Sequence, residues 1–312
     1  MFIPRLKTFL TLLALLAAVL GFRWDQGALA QSGPFDALAA RLSSEGLDQA
    51  ELKTLFASPQ LNFDPTIMAR KVDRMVRQQF EPKPPPTKRT LQQSAYAQYL
   101  KPWVLAWAND YAQANRMALA EAEKRFGVPG DVVVALLLVE TKLGTNLGED
   151  LAFGVLASMA ACADLASIRP YLKTLGSSEE RAAYAEASAR EKAEWAYQEL
   201  KALMLMAKAI GQNPLDIPGS IYGAVGICQF MPSNVLKYGV KADGRGQADP
   251  FDPRDAILST ANYLVGHGWK ASLDYEGQKA VIYAYNHSDL YALAVMTVAE
   301  HLRLARGAAG RP

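Results

Sequence analysis

The sequence predicts an all-α protein, in which a shorter N-terminal helical extension precedes one main helical domain. Apolar residues recur at helical spacing through most of the chain, and strand-like alternation of apolar and polar residues is never sustained. Half of the 312 residues are hydrophobic and 21% are charged, which is a globular composition. No internal repeat is visible, and the length allows one large domain or two smaller ones.

The N-terminus has the pattern of a secretory signal peptide. Arg5 and Lys7 precede an apolar run over residues 9–20, and residues 28–30 form an Ala-Leu-Ala cleavage site. The run is short for a membrane-spanning helix, which needs about 20 residues, so cleavage is favoured over an uncleaved anchor. No cysteine follows the run, so a lipoprotein signal is not indicated. We therefore expect residues 1–30 to direct export.

Net charge gives no indication of a nucleic-acid partner. Lys and Arg number 33 and Asp and Glu 31, but three of the basic residues and one acidic residue lie within residues 1–30. The rest of the chain therefore has no net formal charge, and no nucleic-acid partner is expected.

Residues 31–87 are predicted to form the extension, as three helices followed by a Pro-rich strap. The third helix opens at Asp64-Pro65 and has a basic face, which is either solvated or, as the weaker interpretation, holds an acidic ligand. The run Glu81–Pro86 cannot be helical, so it marks a linker or a strap across the surface.

Residues 88–312 are predicted to form the main domain. Helical signals cover residues 91–126, 129–144, 151–162, 177–210, 252–267, 276–285 and 289–306. Trp103, Trp107 and Tyr111 recur every four residues in the first of these, a stripe that indicates core more than a platform for sugars. Residues 212–255 are irregular and rich in Gly, Pro and Asp, which marks a candidate functional segment.

The central helix carries the first candidate catalytic group. Eight apolar residues at 132–139 precede Glu140, and Gly144 lies where the helix would end. Burial would raise the pKa of Glu140, which suits a general acid near neutral pH. From this stretch alone, a buried glutamate paired with Lys or Arg is the commoner alternative.

Two further segments carry groups suited to a binding site. Residues 219–233 read GSIYGAVGICQFMPS, in which glycines allow close backbone approach to a ligand. Residues 284–288 read AYNHS and lie between two predicted helices. Taken singly, each segment is better explained by turn glycines and capping polar groups.

Together these segments resemble the catalytic domain of the lytic murein transglycosylases, specifically the membrane-bound lytic transglycosylase B family. The matching motifs are ETKLG at 140–144, GSIYGAVGICQFMPS at 219–233, DPRDAI at 252–257 with ANYL and HGW after it, and YNHS at 285–288. The resemblance covers roughly residues 63–302. It implies a lysozyme-like fold, a periplasmic location and cleavage of peptidoglycan glycan strands, with other cell-wall enzymes as candidate partners.

The resemblance also implies a role for each matching residue. Glu140 would be the single catalytic acid and base, oriented by a nearby Ser220. The remaining residues would line the sugar subsites or face Glu140 across the cleft: Gln229, Phe230, Met231, Tyr285 and Asn286. One carboxyl group would protonate the glycosidic oxygen and then deprotonate the 6-hydroxyl of the same muramic acid, which leaves a 1,6-anhydro product without water.

Two alternatives remain open on the sequence. A hydrolytic muramidase would use water and a second carboxylate from Asp243, Asp249 or Asp252. A non-catalytic peptidoglycan-binding scaffold would need no acid at position 140.

No cofactor is expected. The family often carries a calcium loop before the Asp-Pro motif, but Lys241 and Arg245 replace two oxygen ligands of such a loop here. The three histidines show no metal-ligand spacing. Cys162 and Cys228 either form a disulfide, as an exported protein allows, or remain buried free thiols.

Overall fold

The computed structural model describes residues 33–82 and 90–309, and the all-α prediction is confirmed. The α-helices are Asp36–Ser44 (α1), Gln49–Phe56 (α2), Pro65–Phe80 (α3), Pro102–Ala114 (α4), Arg116–Phe126 (α5), Gly130–Thr141 (α6), Ala152–Ala160 (α7), Leu165–Ile168 (α8), Glu179–Ile210 (α9), Pro232–Tyr238 (α10), Pro253–Gly266 (α11), Tyr275–Tyr285 (α12) and Asp289–Ala309 (α13). Short 3-10 helices cover Leu91–Gln93, Ala95–Leu100, Arg169–Tyr171 and Pro214–Asp216. The predicted signal peptide and most of the Pro-rich strap lie outside the described residues.

Helix α6 lies at the centre of the structure. Every one of its residues except Glu140 is buried, as expected for a helix that is apolar on all faces. It packs against α4, α5, α11 and, most extensively, α13. Its C-terminus is closed by a run of left-handed residues, Lys142, Leu143 and Gly144, so the chain turns away directly after the carboxylate.

Helix α9 supports the other side of the core. Ser178 accepts a hydrogen bond from the backbone N–H of Arg181 at its start, and Gly211 ends it in the left-handed conformation. The small side chains along α9 allow close packing with α3, α7 and α10.

The N-terminal helices share this core. Phe35, Phe56 and Phe153 form a continuous aromatic contact from the start of α1 to α7. Asp73 on α3 is buried and accepts hydrogen bonds from the backbone N–H groups of Lys173 and Thr174. The predicted division at residue 87 falls within the undescribed segment and stays a prediction.

The aromatic stripe of α4 differs from the predicted core. Trp103 is 66% exposed and Trp107 is 37% exposed, whereas Tyr111 packs against the core. The prediction was wrong for the two tryptophans because α4 lies at the surface, where Ala108 is its one fully buried residue.

One short strand pair was not predicted, because two residues give no alternation to detect. Asp150–Leu151 (β1) pairs antiparallel with Pro218–Gly219 (β2). This pair joins the segment after α6 to the glycine-rich segment, and Gly148 lies against it. A Cβ atom at Gly148 would lie 2.0 Å from the carbonyl oxygen of Gly219, at a φ of +103°.

None of the helices within residues 33–82 and 90–309 combines the length and apolarity needed to cross a membrane.

The strand pair gives a testable contrast between two glycines. Gly148→Ala should lower the free energy of unfolding by about 3 kcal/mol, since the new methyl group meets backbone at an unfavourable φ. Gly176→Ala is the control, because Gly176 also has a positive φ but no atom within 4 Å of its Cβ position. Its cost should be about 1 kcal/mol. Equal losses in urea unfolding would contradict the close approach at Gly148.

Candidate active site

Glu140 lies at the end of α6 with its carboxyl group surrounded by protein. The side chain is only partly open to solvent, and this burial raises the pKa of Glu140 to about 7. The hydroxyl of Tyr291 donates a hydrogen bond of 2.5 Å to Oε1 of Glu140, which acts in the opposite direction and lowers that pKa. Half of the Glu140 carboxyl groups therefore hold a proton near neutral pH.

Tyr291 was not identified from the sequence. It lies in the first turn of α13 and is 2% exposed. Burial, and then the charge of Glu140, raise the pKa of Tyr291 well above its ordinary value, so its hydroxyl remains a donor. Nothing in the sequence distinguished this tyrosine from a core residue of an apolar helix.

Further tyrosines lie around the carboxyl group. The ring of Tyr291 contacts those of Tyr96 and Tyr285, with centroids 6.2 and 6.4 Å away. Tyr99 donates a hydrogen bond to the carbonyl oxygen of Val139. Burial, followed by the charge of Glu140, raises the pKa of Tyr96 and of Tyr99. This side of the site is therefore aromatic, with hydroxyl groups that remain protonated.

Thr141 joins the end of α6 to the glycine-rich segment. Its Oγ1 donates to the carbonyl oxygen of Ile227 at 2.8 Å and accepts from the backbone N–H of Gly144 at 3.0 Å. The residue is fully buried. These bonds fix Glu140, the neighbouring residue, relative to residues 219–233.

Ser220 helps to shape a tight turn. Its Oγ accepts hydrogen bonds from the backbone N–H groups of Tyr222 and Ala224. Gly223 closes the turn at a φ of +84°, and a Cβ there would lie 2.6 Å from Leu156. Among the described residues, the side-chain hydrogen bond to Glu140 comes from Tyr291, and the orienting role of Ser220 stays a prediction.

The next predicted residues divide between the loop and the core. Gln229 has a φ of +50°, and its Nε2 donates to the carbonyl oxygens of Leu147 and Gly226. Phe230 is 4% exposed and packs on Tyr263. Its ring belongs to the core cluster, and its role in lining a sugar subsite stays a prediction. Met231 is half-buried at the start of α10.

Tyr285 and Asn286 end α12 and lie in different surroundings. The Tyr285 hydroxyl donates to the carbonyl oxygen of Cys228 at 2.5 Å, so that donor holds the loop and is not free for a sugar. Burial raises the pKa of Tyr285, with smaller contributions from Cys228 and Glu140, which places its ring near the carboxyl group. Asn286 is exposed and available for a ligand.

The two cysteines do not form the disulfide that the sequence allowed. Cys162 and Cys228 are both buried free thiols. Cys228 contacts the carbonyl oxygen of Ala256 and the hydroxyl of Thr260, both on α11. Burial raises the pKa of Cys162 to about 11 and that of Cys228 to about 12, so both remain protonated.

The loop before α11 is held by an ion pair between Lys241 and Asp255. Lys241 donates to Oδ2 of the buried Asp255 at 2.9 Å, and the same carboxylate accepts the backbone N–H groups of Ala242 and Asp249. Asp243 accepts the backbone N–H of Arg245. An ammonium group on the buried carboxylate of Asp255 is not an arrangement that calcium prefers, and the expectation of no calcium stays a prediction.

The arrangement can perform acid and base chemistry with one carboxyl group. Burial and Tyr291 set the pKa of Glu140, and no second carboxylate of the described residues contributes. The Asp249 and Asp252 carboxylates accept nearby backbone N–H groups, and Asp252 caps α11. Neither is among the groups that shift the pKa of Glu140.

Comparisons with known proteins give relatives in sequence and in fold. A family model described as the transglycosylase SLT domain matches residues 31–279. Membrane-bound lytic murein transglycosylase B of Escherichia coli K12 is 32% identical over 152 residues, which are 49% of this chain and 35% of that protein. The match thus spans about a third of the length of this curated relative.

Solved structures show the same fold. The E. coli lytic transglycosylase Slt35 in complex with bulgecin A is 22% identical, with a TM-score of 0.66 and coverage of 90% of this chain and 96% of that one. A calcium complex of Slt35 matches similarly, with a TM-score of 0.66. Pseudomonas aeruginosa SltB3 with NAG-NAM-pentapeptide is 21% identical, with a TM-score of 0.63 and coverage of 86% and 78%. The lysozyme-like fold prediction is confirmed.

The raised pKa of Glu140 makes stability depend on pH in a defined direction. The folded protein holds this proton up to about pH 7, whereas the unfolded chain releases it near pH 4.5. Stability is therefore lost as pH rises between these values, by about 3 kcal/mol in total. Glu140→Gln has no such loss, so its melting temperature should exceed that of wild type by roughly 5 °C at pH 8 but match it at pH 4.5.

Glu149→Gln is the control, because Glu149 is an exposed carboxylate on the following loop. Its effect should be small and constant across the same pH range. A Glu140→Gln effect that does not change between pH 4.5 and 8 would contradict the raised pKa.

Proposed function

The chain belongs to the transglycosylase SLT domain family, and we propose that it is a lytic transglycosylase of peptidoglycan. It cleaves the β-1,4 bond between N-acetylmuramic acid and N-acetylglucosamine without water and leaves 1,6-anhydromuramic acid ends. The observation that carries this proposal is the carboxyl group of Glu140, to which burial gives a pKa of about 7 and which accepts one hydrogen bond from Tyr291.

The first step uses the protonated form of Glu140. The carboxyl group gives its proton to the glycosidic oxygen as the bond from C1 of muramic acid breaks, and the glucosamine leaves with a free 4-hydroxyl. The 2-acetamido oxygen of the muramic acid stabilises the positive charge at C1. Tyr291 holds the Glu140 carboxylate that results, since its hydroxyl donates more strongly to the charged form.

The second step uses the ionised form. Glu140 takes the proton of the 6-hydroxyl of the same muramic acid, O6 bonds to C1, and the acetamido group is released. Atoms balance without water, and Glu140 returns to its protonated state. An intramolecular nucleophile needs no second carboxylate, because proximity supplies much of the driving force.

A hydrolytic muramidase has less support. Its second carboxylate would have to lie across the substrate from Glu140. The three candidates from the sequence, Asp243, Asp249 and Asp252, each accept backbone N–H groups of their own loop or helix. The known complexes of SltB3 with NAG-NAM-pentapeptide and NAG-anhNAM-pentapeptide also favour anhydro chemistry on a peptide-bearing glycan.

We further propose an exported protein that acts in the periplasm on glycan strands, alongside other cell-wall enzymes. The signal-peptide pattern of residues 1–30 supports export.

Activity is also proposed to need no calcium. The support is the Lys241–Asp255 ion pair, in which the ammonium group supplies the positive charge that the loop requires.

Product analysis tests the proposed reaction. Purified sacculi digested with the enzyme should yield anhydromuramic ends by mass spectrometry, with no ¹⁸O incorporated from labelled water. Glu140→Gln should reduce release at least about 1000-fold, and wild-type activity should fall above about pH 7 as the acid loses its proton.

The control variant is again Glu149→Gln, which should keep wild-type release. Reducing muramic acid ends carrying ¹⁸O would identify a muramidase and contradict the proposal. Wild-type release no faster than that of Glu140→Gln would indicate a binding scaffold.

The ion pair predicts how the loop responds to metal and mutation. Calcium at 5 mM or a chelator should leave the melting temperature of wild type unchanged within about 1 °C. Lys241→Ala should cost about 3 kcal/mol, because it leaves the buried Asp255 without a counter-ion, whereas exposed Arg245→Ala should cost little. A clear calcium-dependent rise in the wild-type melting temperature would contradict this proposal.

A further inference from the structure

The basic face of α3 meets the glycine-rich segment at Tyr222. The ammonium nitrogen of Lys71 lies 4.4 Å from the centroid of the Tyr222 ring, and the Arg74 guanidinium carbon lies 5.4 Å from the same centroid. Trp195 on α9 borders the cluster, with its ring centroid 5.7 Å from Lys71. Two cations and two aromatic rings from three separate segments thus form one surface, here called the Tyr222 cluster.

The positive charges of this cluster have no matching negative charge among the described residues. Among those residues, no carboxylate oxygen lies within 4.0 Å of the charged group of Lys71 or Arg74. Burial lowers the pKa of Lys71 to about 8, and the next contributions come from two further cations, Arg74 and Lys192. Lys71 is half-buried and Arg74 is exposed, so the unneutralised charge of Lys71 is the costly one unless an anion binds beside it.

The position of the cluster connects it to the active site. Tyr222 lies in the turn whose backbone N–H groups bond to Ser220, and the preceding Gly219 pairs with Asp150 on the segment that follows Glu140. The turn is held by Gly223 against Leu156, so Tyr222 has a fixed place. A ligand on the cluster would therefore have a fixed offset from a glycan held at Glu140.

We propose that Lys71, Arg74 and Tyr222 bind a carboxylate of the peptide attached to the muramic acid of the substrate. This inference rests on the proposed function, since it concerns a second part of the same substrate. Peptidoglycan stem peptides are acidic, and Arg and Lys on an aromatic surface suit carboxylate recognition. Arg70 and Arg77, on the rest of the basic face, are exposed like Arg74, but neither of them lies over the Tyr222 ring as Arg74 does.

An anionic membrane surface is the competing ligand. A membrane-binding stripe would place its cations outward on exposed side chains, as Arg70 and Arg77 are. Lys71 is instead half-buried between two rings, which favours a small anion in a defined position.

The test compares glycan strands that carry stem peptides with strands from which an amidase has removed them. We expect the double variant Lys71→Gln/Arg74→Gln to lower about tenfold the ratio of kcat/KM on peptide-bearing strands to kcat/KM on stripped strands. Arg70→Gln/Arg77→Gln removes the same charge from the same helix and should keep the wild-type ratio. Strands whose stem peptides carry amidated carboxylates should give the same kcat/KM as stripped strands.

Binding separates this inference from the proposed function. In the Glu140→Gln background, the Lys71→Gln/Arg74→Gln change should weaken binding of peptide-bearing strands about tenfold in fluorescence anisotropy, even if wild type cleaves neither substrate. An unchanged ratio, or equal weakening on both kinds of strand, would overturn the inference. If the Lys71→Gln/Arg74→Gln change abolished binding to vesicles of anionic phospholipid but left binding of both kinds of glycan strand unchanged, the inference would be overturned in favour of a membrane surface.

Discussion

The burial of one carboxyl group at the end of an apolar helix is the constraint on which the site depends. Helix α6 is buried along almost its whole length, and Glu140 is its one residue that is only partly buried. A carboxyl group in that position keeps its proton up to about pH 7, and the same burial makes the ionised state costly. The proposed reaction uses both states in turn, so a pKa near neutrality serves the acid step and the base step alike. The fold gives up some stability at neutral pH to hold this group.

The neighbours of Glu140 hold its carboxyl group in one position. Thr141 bonds to the carbonyl oxygen of Ile227, which fixes the helix end to the glycine-rich segment, and Tyr291 holds the carboxyl group from α13. Left-handed residues follow at once, including Lys142 and Leu143, where a side chain is unfavourable. Such backbone strain persists only where neighbouring structure overrides it, and here buried hydrogen bonds do so. The glycine-rich segment then extends from the carboxyl group to Tyr222, so one rigid element can position two parts of a substrate.

The sequence predicted correctly those features that depend on the local pattern of residues. The central helix, Glu140 at its end and the all-α class follow from periodicity and from a run of apolar residues. The residues that the sequence did not identify, or whose burial it predicted wrongly, are those whose surroundings depend on tertiary neighbours. Tyr291 has the pattern of a core residue, and its function comes from α13 packing beside α6. Trp103 was misplaced for the same reason, because a stripe does not say which face a neighbouring element covers. The cysteines are separated by helix packing that the chain spacing does not reveal.

The central claim is that Glu140 is a solitary buried acid with a pKa near 7, and the most direct measurement is its own titration. A ¹³C-detected NMR titration of the carboxyl groups can follow the Glu140 resonance, which is assigned as the signal that is absent from the spectrum of Glu140→Gln. This resonance should give an apparent pKa of about 7. In Tyr291→Phe the value should rise further, because the hydrogen bond that favours the carboxylate is lost. An ordinary value near 4.5 in wild type, or a fall in Tyr291→Phe, would contradict the account.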